Sequence, residues 1–78
     1  MPRYYFHVRD AGTLSVDLEG AVLQGDDQAV REAVQAARET LAEKILMGDV
    51  ISDSSFEVVR ADGHLIAVIP VSSVLRFQ

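Results

Sequence analysis

From Asp26 to Met47 the chain runs for twenty-two residues without a glycine or a proline. Apolar side chains recur within it at Val30, Val34, Ala37, Leu41 and Ile45. Steps of four, three, four and four residues set them on one stripe of a 3.6-residue helix. The opposite side carries Arg31, Glu32, Gln35, Arg38, Glu39 and Glu43. A helix with one dry face needs a sheet to cover. A second line, Ala29, Ala33, Ala36 and Thr40, permits close backbone approach, most commonly to the chain's own sheet. Asp26 and Asp27 are placed to cap the helix and to suit the positive end of its dipole. Lys44 suits the last turn, and Gly48 marks the stop.

The flanking segments read as strands. From Arg3 to Val8 the residues alternate, with Tyr4, Phe6 and Val8 on one side and Arg3, Tyr5, His7 and Arg9 on the other. Asp10-Ala11-Gly12 is a turn signal, and Thr13 to Leu18 alternates again through Leu14, Val16 and Leu18. This predicts a first hairpin, broken at Glu19-Gly20, with Ala21 to Gly25 leading into the helix. Asp49 to Ser55 is a polar connection. Phe56 to Arg60 and Leu65 to Val71 predict a second hairpin around Ala61-Asp62-Gly63-His64. A two-residue Asp-Gly turn sets Phe56, Val58, Leu65, Ala67 and Ile69 on one face; a three-residue loop with a glycine bulge shifts the pairing by one. The first register is preferred because it separates Glu57 from the apolar set. Pro70 lacks an N–H and belongs at a strand end or a sheet edge. Ser72 to Gln78 is expected to form a short final turn or helix, with Val74, Leu75 or Phe77 closing the core.

The order strand, strand, helix, strand, strand predicts an α+β fold of two layers. It would be β-β-α-β-β, a four-stranded antiparallel sheet with one long helix packed on one face. Residues 1–78 are expected to form a single domain. Its core would combine the helix stripe with Tyr4, Phe6, Val8, Leu14, Val16, Phe56, Val58 and Ile69.

Twelve acidic residues oppose seven basic ones, a net charge of −5. That weighs against nucleic acid, whose binders normally neutralise phosphates with a basic excess. The absence of cysteine rules out disulfides and thiolate metal sites. A core this small then calls for good packing, a partner subunit, or both. The start, Met1 to His7, lacks the long apolar stretch of a signal peptide. The apolar run Leu65 to Val71 is too short for a membrane helix. The expectation is a soluble cytoplasmic protein with no membrane contact.

Chemical signatures fail in turn. The five glycines form neither a phosphate loop nor a dinucleotide fingerprint. No G-x-S-x-G elbow is present, and Asp10 to Gly20 lacks the ligand spacing of a calcium loop. His7 and His64, with Asp10 or Asp62, would make a metal or acid–base site if the hairpins brought them together. Without ligand spacing they read as a strand residue and a turn residue. Ser54-Ser55 and Ser72-Ser73 have no base nearby in sequence. The chain is therefore expected to be no enzyme, with no metal, no cofactor and no evident small-molecule substrate. The outward face of the first strand is more informative: Arg3, Tyr5, His7 and Arg9, joined by Arg60 from the third strand. Basic and aromatic side chains interleaved on a sheet can stack bases or bind phosphates. They are also the residues that protein interfaces enrich. The favoured expectation is a non-catalytic protein-interaction module, a homodimer or the partner of another protein. The alternative is a nucleic-acid-binding or antitoxin-like regulator that uses the same face. The positions of Asp17, Glu57 and Asp53 discriminate, because acids interleaved with those arginines would neutralise the face.

The opening Pro2-Arg3-Tyr4-Tyr5-Phe6-His7-Val8-Arg9-Asp10 resembles the start of a set of small bacterial proteins, domain-of-unknown-function family 6894. Similar features continue along the chain. They are a D-x-E-G element at Asp17-Leu18-Glu19-Gly20, an Ala- and Arg-rich helix from Ala29 to Leu41, and an E-V segment at Glu57-Val58. A D-x-G-like turn at Asp62-Gly63 and a closing apolar strand from Leu65 to Pro70 complete the likeness. The family often has Leu-Pro-Asp just before the helix, where this chain reads Leu23-Gln24-Gly25-Asp26. The resemblance implies a complete structural domain and no activity or cofactor. A looser likeness to small antitoxin-type folds lacks their helix-turn-helix or basic arm.

Overall fold

A computed structural model describes residues 1–49 and 53–74. Its spine is β1 (Arg3–Asp10), where alternation and β-favouring aromatics produce an extended segment. On one side β1 pairs antiparallel with two short pieces, β2 (Thr13–Ser15) and β3 (Ala21–Val22). On the other it pairs with β4 (Ser54–Arg60), from Tyr4 opposite Arg60 to Asp10 opposite Ser54. The sheet continues to β5 (Leu65–Pro70). The helix α1 (Asp26–Met47) covers one face, and a 3-10 turn, Val71–Val74, closes the described chain. This is an α+β fold with an antiparallel sheet and one long helix. The expected second strand, Thr13 to Leu18, ends at Ser15, and a further short strand forms at Ala21–Val22 in the expected lead-in to the helix, so the sheet has five pieces where four were expected. Within the expected final segment the turn includes Val74, half-buried against the core. The expectations for Leu75, Phe77 and the middle of the Asp49–Ser55 connection lie outside the described residues.

The first hairpin turns through Ala11 and Gly12, with φ of 52° and 84°. Two positive values are what a mirror-image two-residue turn requires. The turn sets Leu14 opposite Arg9, and directly opposed residues share a face of a sheet. Leu14 therefore lies on the face away from the helix. Leu14 and Val16 are both exposed rather than part of the expected core.

The second hairpin departs from the preferred register near its turn and returns to it farther along. The Gly63 N–H donates to the Arg60 carbonyl at 2.8 Å, and the Arg60 N–H to the His64 carbonyl at 2.9 Å. That is the three-residue loop with a glycine bulge. A second irregularity leaves Ile66 without an opposite residue, between Val59–Leu65 and Val58–Ala67. The extra residue restores Phe56–Ile69 and Val58–Ala67, the pairs of the two-residue register. Leu65 alone leaves the apolar set for the outer face; Ile66 takes its place against the core. Pro70 ends β5, an edge strand, where its missing N–H costs least.

The helix occupies the expected bounds, and the line it presents to the sheet combines Ala29 and Ala33 of the small-residue line with Ala37 and Leu41 of the apolar stripe. Ala29, Ala33, Ala37 and Leu41 are buried. Val30 and Val34 are only half-buried, and Ile45 is exposed. The small side chains let the helix approach Tyr4 and Val58, both fully buried, while Ala37 and Leu41 meet Phe56 and Val71. The bulk comes from the sheet, so the helix contributes the space.

The helix start also differs from expectation. Gly25 is the N-cap and makes no side-chain cap bond. Asp26 stands one position inside, its carboxylate turned to Tyr4 and Arg60. Only the dipole part of the aspartate role remains, for Asp26 and Asp27 in the first turn. The Gln28 side-chain oxygen instead takes the Gln24 N–H at 2.8 Å. At the far end the Asp49 N–H reaches the Lys44 carbonyl at 2.9 Å and the Gly48 N–H the Ile45 carbonyl at 3.2 Å, a Schellman closure.

Candidate functional site

Sheet parity separates the five candidate residues. Arg3, Tyr5, His7 and Arg9 alternate with the buried Tyr4 side of β1 and lie on the face away from the helix. Arg60 does not join them. It is opposite Tyr4, so its side chain lies on the helix side. There its guanidinium meets Asp26 at 3.1 and 3.2 Å and Asp62 at 3.0 and 3.1 Å. One Asp26 oxygen also accepts the Tyr4 hydroxyl proton. Sequence reasoning counted Tyr4 as core and missed this group. The available signal was that a buried tyrosine needs a partner for its hydroxyl.

The hydroxyl bond to Asp26, followed by burial, holds the Tyr4 phenol above its ordinary pKa. The same bond, reinforced by Arg60, holds the Asp26 carboxyl below its own. Asp62 is lowered by Arg60, then by the His64 N–H. The three residues lock the start of α1 to the ends of β1 and β4.

On the outer face one of the two arginines is paired with an acid. The Arg9 Nε donates to Glu57, which raises the Arg9 pKa further. The Arg3 Nη1 donates to the Glu19 carbonyl at 2.7 Å. Tyr5 and His7 stack with ring centroids 6.2 Å apart and planes 17° from parallel. Asp17 comes in from the stretch between β2 and β3. Its Oδ2 accepts the Phe6 N–H at 3.1 Å, and its Oδ1 accepts the N–H groups of Glu19 and Gly20, each at 3.2 Å. Burial pushes its carboxyl pKa up, but the three N–H bonds outweigh that and leave it lowered. The Asp17 N–H in turn donates to the His7 Nδ1 at 3.0 Å, which puts the ring proton on Nε2. Asp53 lies just ahead of β4, at the end of the sheet where Ser54 donates to Asp10 at 2.9 Å. Asp17 therefore does what a strand would have done: it satisfies β1 where β2 and β3 are interrupted. This gives the D-x-E-G element a structural role that its residue types had not disclosed.

The remainder of the outer face is apolar. Val22, Leu65 and Val68 are about half exposed, and Leu14 somewhat less. Val59 lies half-buried between Tyr5 and Leu65.

The histidines are not brought together. His7 is opposite Glu57, and His64 bonds across to Arg60. Three residues along the strand and two strand spacings across put them roughly 14 Å apart. No group of three or more His, Asp or Glu among the described residues could hold a metal ion. A depression beside the start of α1, lined by Gln24, Gly25, Asp26, Asp27, Gln28 and Arg31, is open to solvent. No helix among the described residues is long and apolar enough to cross a membrane.

No curated protein and no solved structure matches the chain. The model of one family, the domain of unknown function DUF6894, matches residues 3–72. That span takes in every strand, the helix, and the Asp17 and Gly20 positions of the D-x-E-G element. The chain belongs to the DUF6894 family.

Proposed function

We propose that the protein is a non-catalytic protein-interaction module of the cytoplasm that works as a homo-oligomer. The observation that carries the reading is the bare sheet face opposite the helix. Exposed Leu65, Val68 and Val22 surround the stacked Tyr5 and His7 there, and Arg9 is paired to Glu57. A surface of aromatic and aliphatic groups with few charges suits a protein partner, since apolar area supplies attraction and little charge opposes desolvation. Polyanion binding would need cations held out toward solvent. Arg9 is paired to Glu57 and Arg60 faces the helix, which leaves Arg3 as the one arginine of the face without an acid partner among the described residues, and the whole carries −5. The separation of His7 from His64 supports a role without catalysis.

Sedimentation at micromolar concentration tests the reading. The expected outcome is a species of at least twice the 8.5 kDa chain mass. A clean monomer would remove the homo-oligomer.

A further inference from the structure

The two edges of the sheet are built differently. At one edge the strand beside β1 is interrupted, and Asp17 occupies the gap with its carboxylate on the Phe6 N–H. That edge is short and closed by an acid. At the other edge stands β5, with no further strand beside it among the described residues. Its sequence, Leu-Ile-Ala-Val-Ile-Pro, has no charged side chain. The stretch free of Asp, Glu, Lys and Arg runs thirteen residues, from Gly63 to Leu75, and no other in the chain exceeds six. Sheet edges are commonly guarded by charges, because a row of outward N–H and C=O groups invites another strand. Here the guards are only the bulge at Ile66 and the proline at position 70. Between them Ala67, Val68 and Ile69 are regular.

We propose that β5 pairs antiparallel with β5 of a second copy about a two-fold axis at Val68, joining the two sheets edge to edge. The proposal rests on the homo-oligomer reading and names its contact. A second copy fits this edge for an electrostatic reason. Each chain carries −5, so most approaches set acids against acids, whereas β5 offers no like charge to oppose itself. A two-fold strand pair is self-complementary by construction. Val68 meets its own copy on the outer face, and Ala67 meets Ile69 on the helix side, so every cross-strand pair is apolar. Leu65 and Val68 then form the seam of one continuous outer surface.

Cysteine cross-linking tests the contact, because the native chain contains no cysteine. Val68→Cys sets two thiols on directly opposed residues, within the Cα separation of about 7 Å that a disulfide allows. Val22→Cys is the control: it is comparably exposed on the same face but lies at the far edge. In an edge-to-edge dimer the two copies of Val22 are seven strand spacings apart, about 33 Å. Mild oxidation is expected to convert V68C to a covalent dimer and leave V22C uncross-linked. Val68→Asp, which opposes two carboxylates, is expected to weaken dimerisation at least tenfold while the far-ultraviolet dichroism is unchanged. If the wild-type protein is dimeric but V68C does not cross-link, or V22C does, the edge contact is wrong and the homo-oligomer survives. A monomeric wild type overturns both.

Discussion

At Gly20 the backbone, with φ of 68°, lies directly against β1. A β-carbon there would stand 2.7 Å from the Tyr4 carbonyl oxygen and 3.0 Å from the Tyr5 ring. The carbonyl belongs to a strand paired on its other side, so it cannot give way. Gly12 has a similar φ of 84° but open space around it. Left-handed strain alone costs a non-glycine residue roughly 1–2 kcal/mol, and overpacking typically adds about 1–3 kcal/mol. Gly20→Ala is therefore expected to destabilise by about 2–5 kcal/mol and Gly12→Ala by about 1–2 kcal/mol. Urea denaturation of the two variants compares them. Equal costs would mean that the contact with Tyr4 relaxes and that conformation alone requires glycine. At this scale the sequence was partly legible: the D-x-E-G spelling was visible, but not that its Asp and Gly both press on the same strand.

The helix was legible in its bounds and only partly in its orientation: Ala37 and Leu41 of the apolar stripe face the sheet, but Val30, Val34 and Ile45 do not. Glycine, proline and apolar period are local signals, and they delimited Asp26–Met47 correctly. Which side turns inward depends on what it meets. Ranking by hydrophobic size favours Val30, Val34 and Ile45, yet against Tyr4 and Val58 the sheet takes only Ala29 and Ala33, and the one large helix residue it buries is Leu41, beside Phe56 and Val71. Interiors are close-packed, so bulk on one layer excludes bulk on the other. Ala33, fully buried between Tyr4 and Val58, is expected to tolerate little. Ala33→Leu should lower the thermal midpoint by the equivalent of about 1–3 kcal/mol. Ile45→Ala, on an exposed position, should stay within about 0.5 kcal/mol. The reverse ranking would restore the valine stripe.

Stability of the whole molecule should fall at both extremes of pH, and the signs differ. The Asp17, Asp26 and Asp62 carboxyls are lowered by folding. Their unfolded values are about 3.9. Above that pH their contribution is fully present; it is lost as pH falls through the depressed folded values, where the unfolded chain binds more protons. Tyr4 is raised by folding from about 10. Its bond to Asp26 contributes fully below that value and is lost as pH rises through the raised one. Thermal midpoints across pH 2–11 should show a plateau with an acid limb and an alkaline limb. The double variant Asp17→Asn, Asp26→Asn should flatten the acid limb. An acid limb unchanged by that pair would mean that other carboxylates control it.

By itself the sequence determined what is local. It settled the α+β class, both ends of α1, the alternation of β1 and β4, and the places of the turns after β1 and β4, though not the three-residue form of the second. Each follows from propensity, period or turn chemistry within a few residues. Only the tertiary structure decided the partners of Arg60, the exposure of Leu14 and Val16, the bulge at Ile66, and how the small-residue line and the apolar stripe share the buried face of the helix. These depend on which residue stands opposite, and a shift of one residue in a strand exchanges its two faces. The candidate face was readable from alternation. Arg3, Tyr5, His7 and Arg9 share one side of β1, whereas Arg60 shares the side of Phe56 and Val58 in β4, so its expected place on the outer face conflicted with the core named beside it. What pairing across the sheet added was the partner: it set Arg60 opposite Tyr4 and within reach of Asp26.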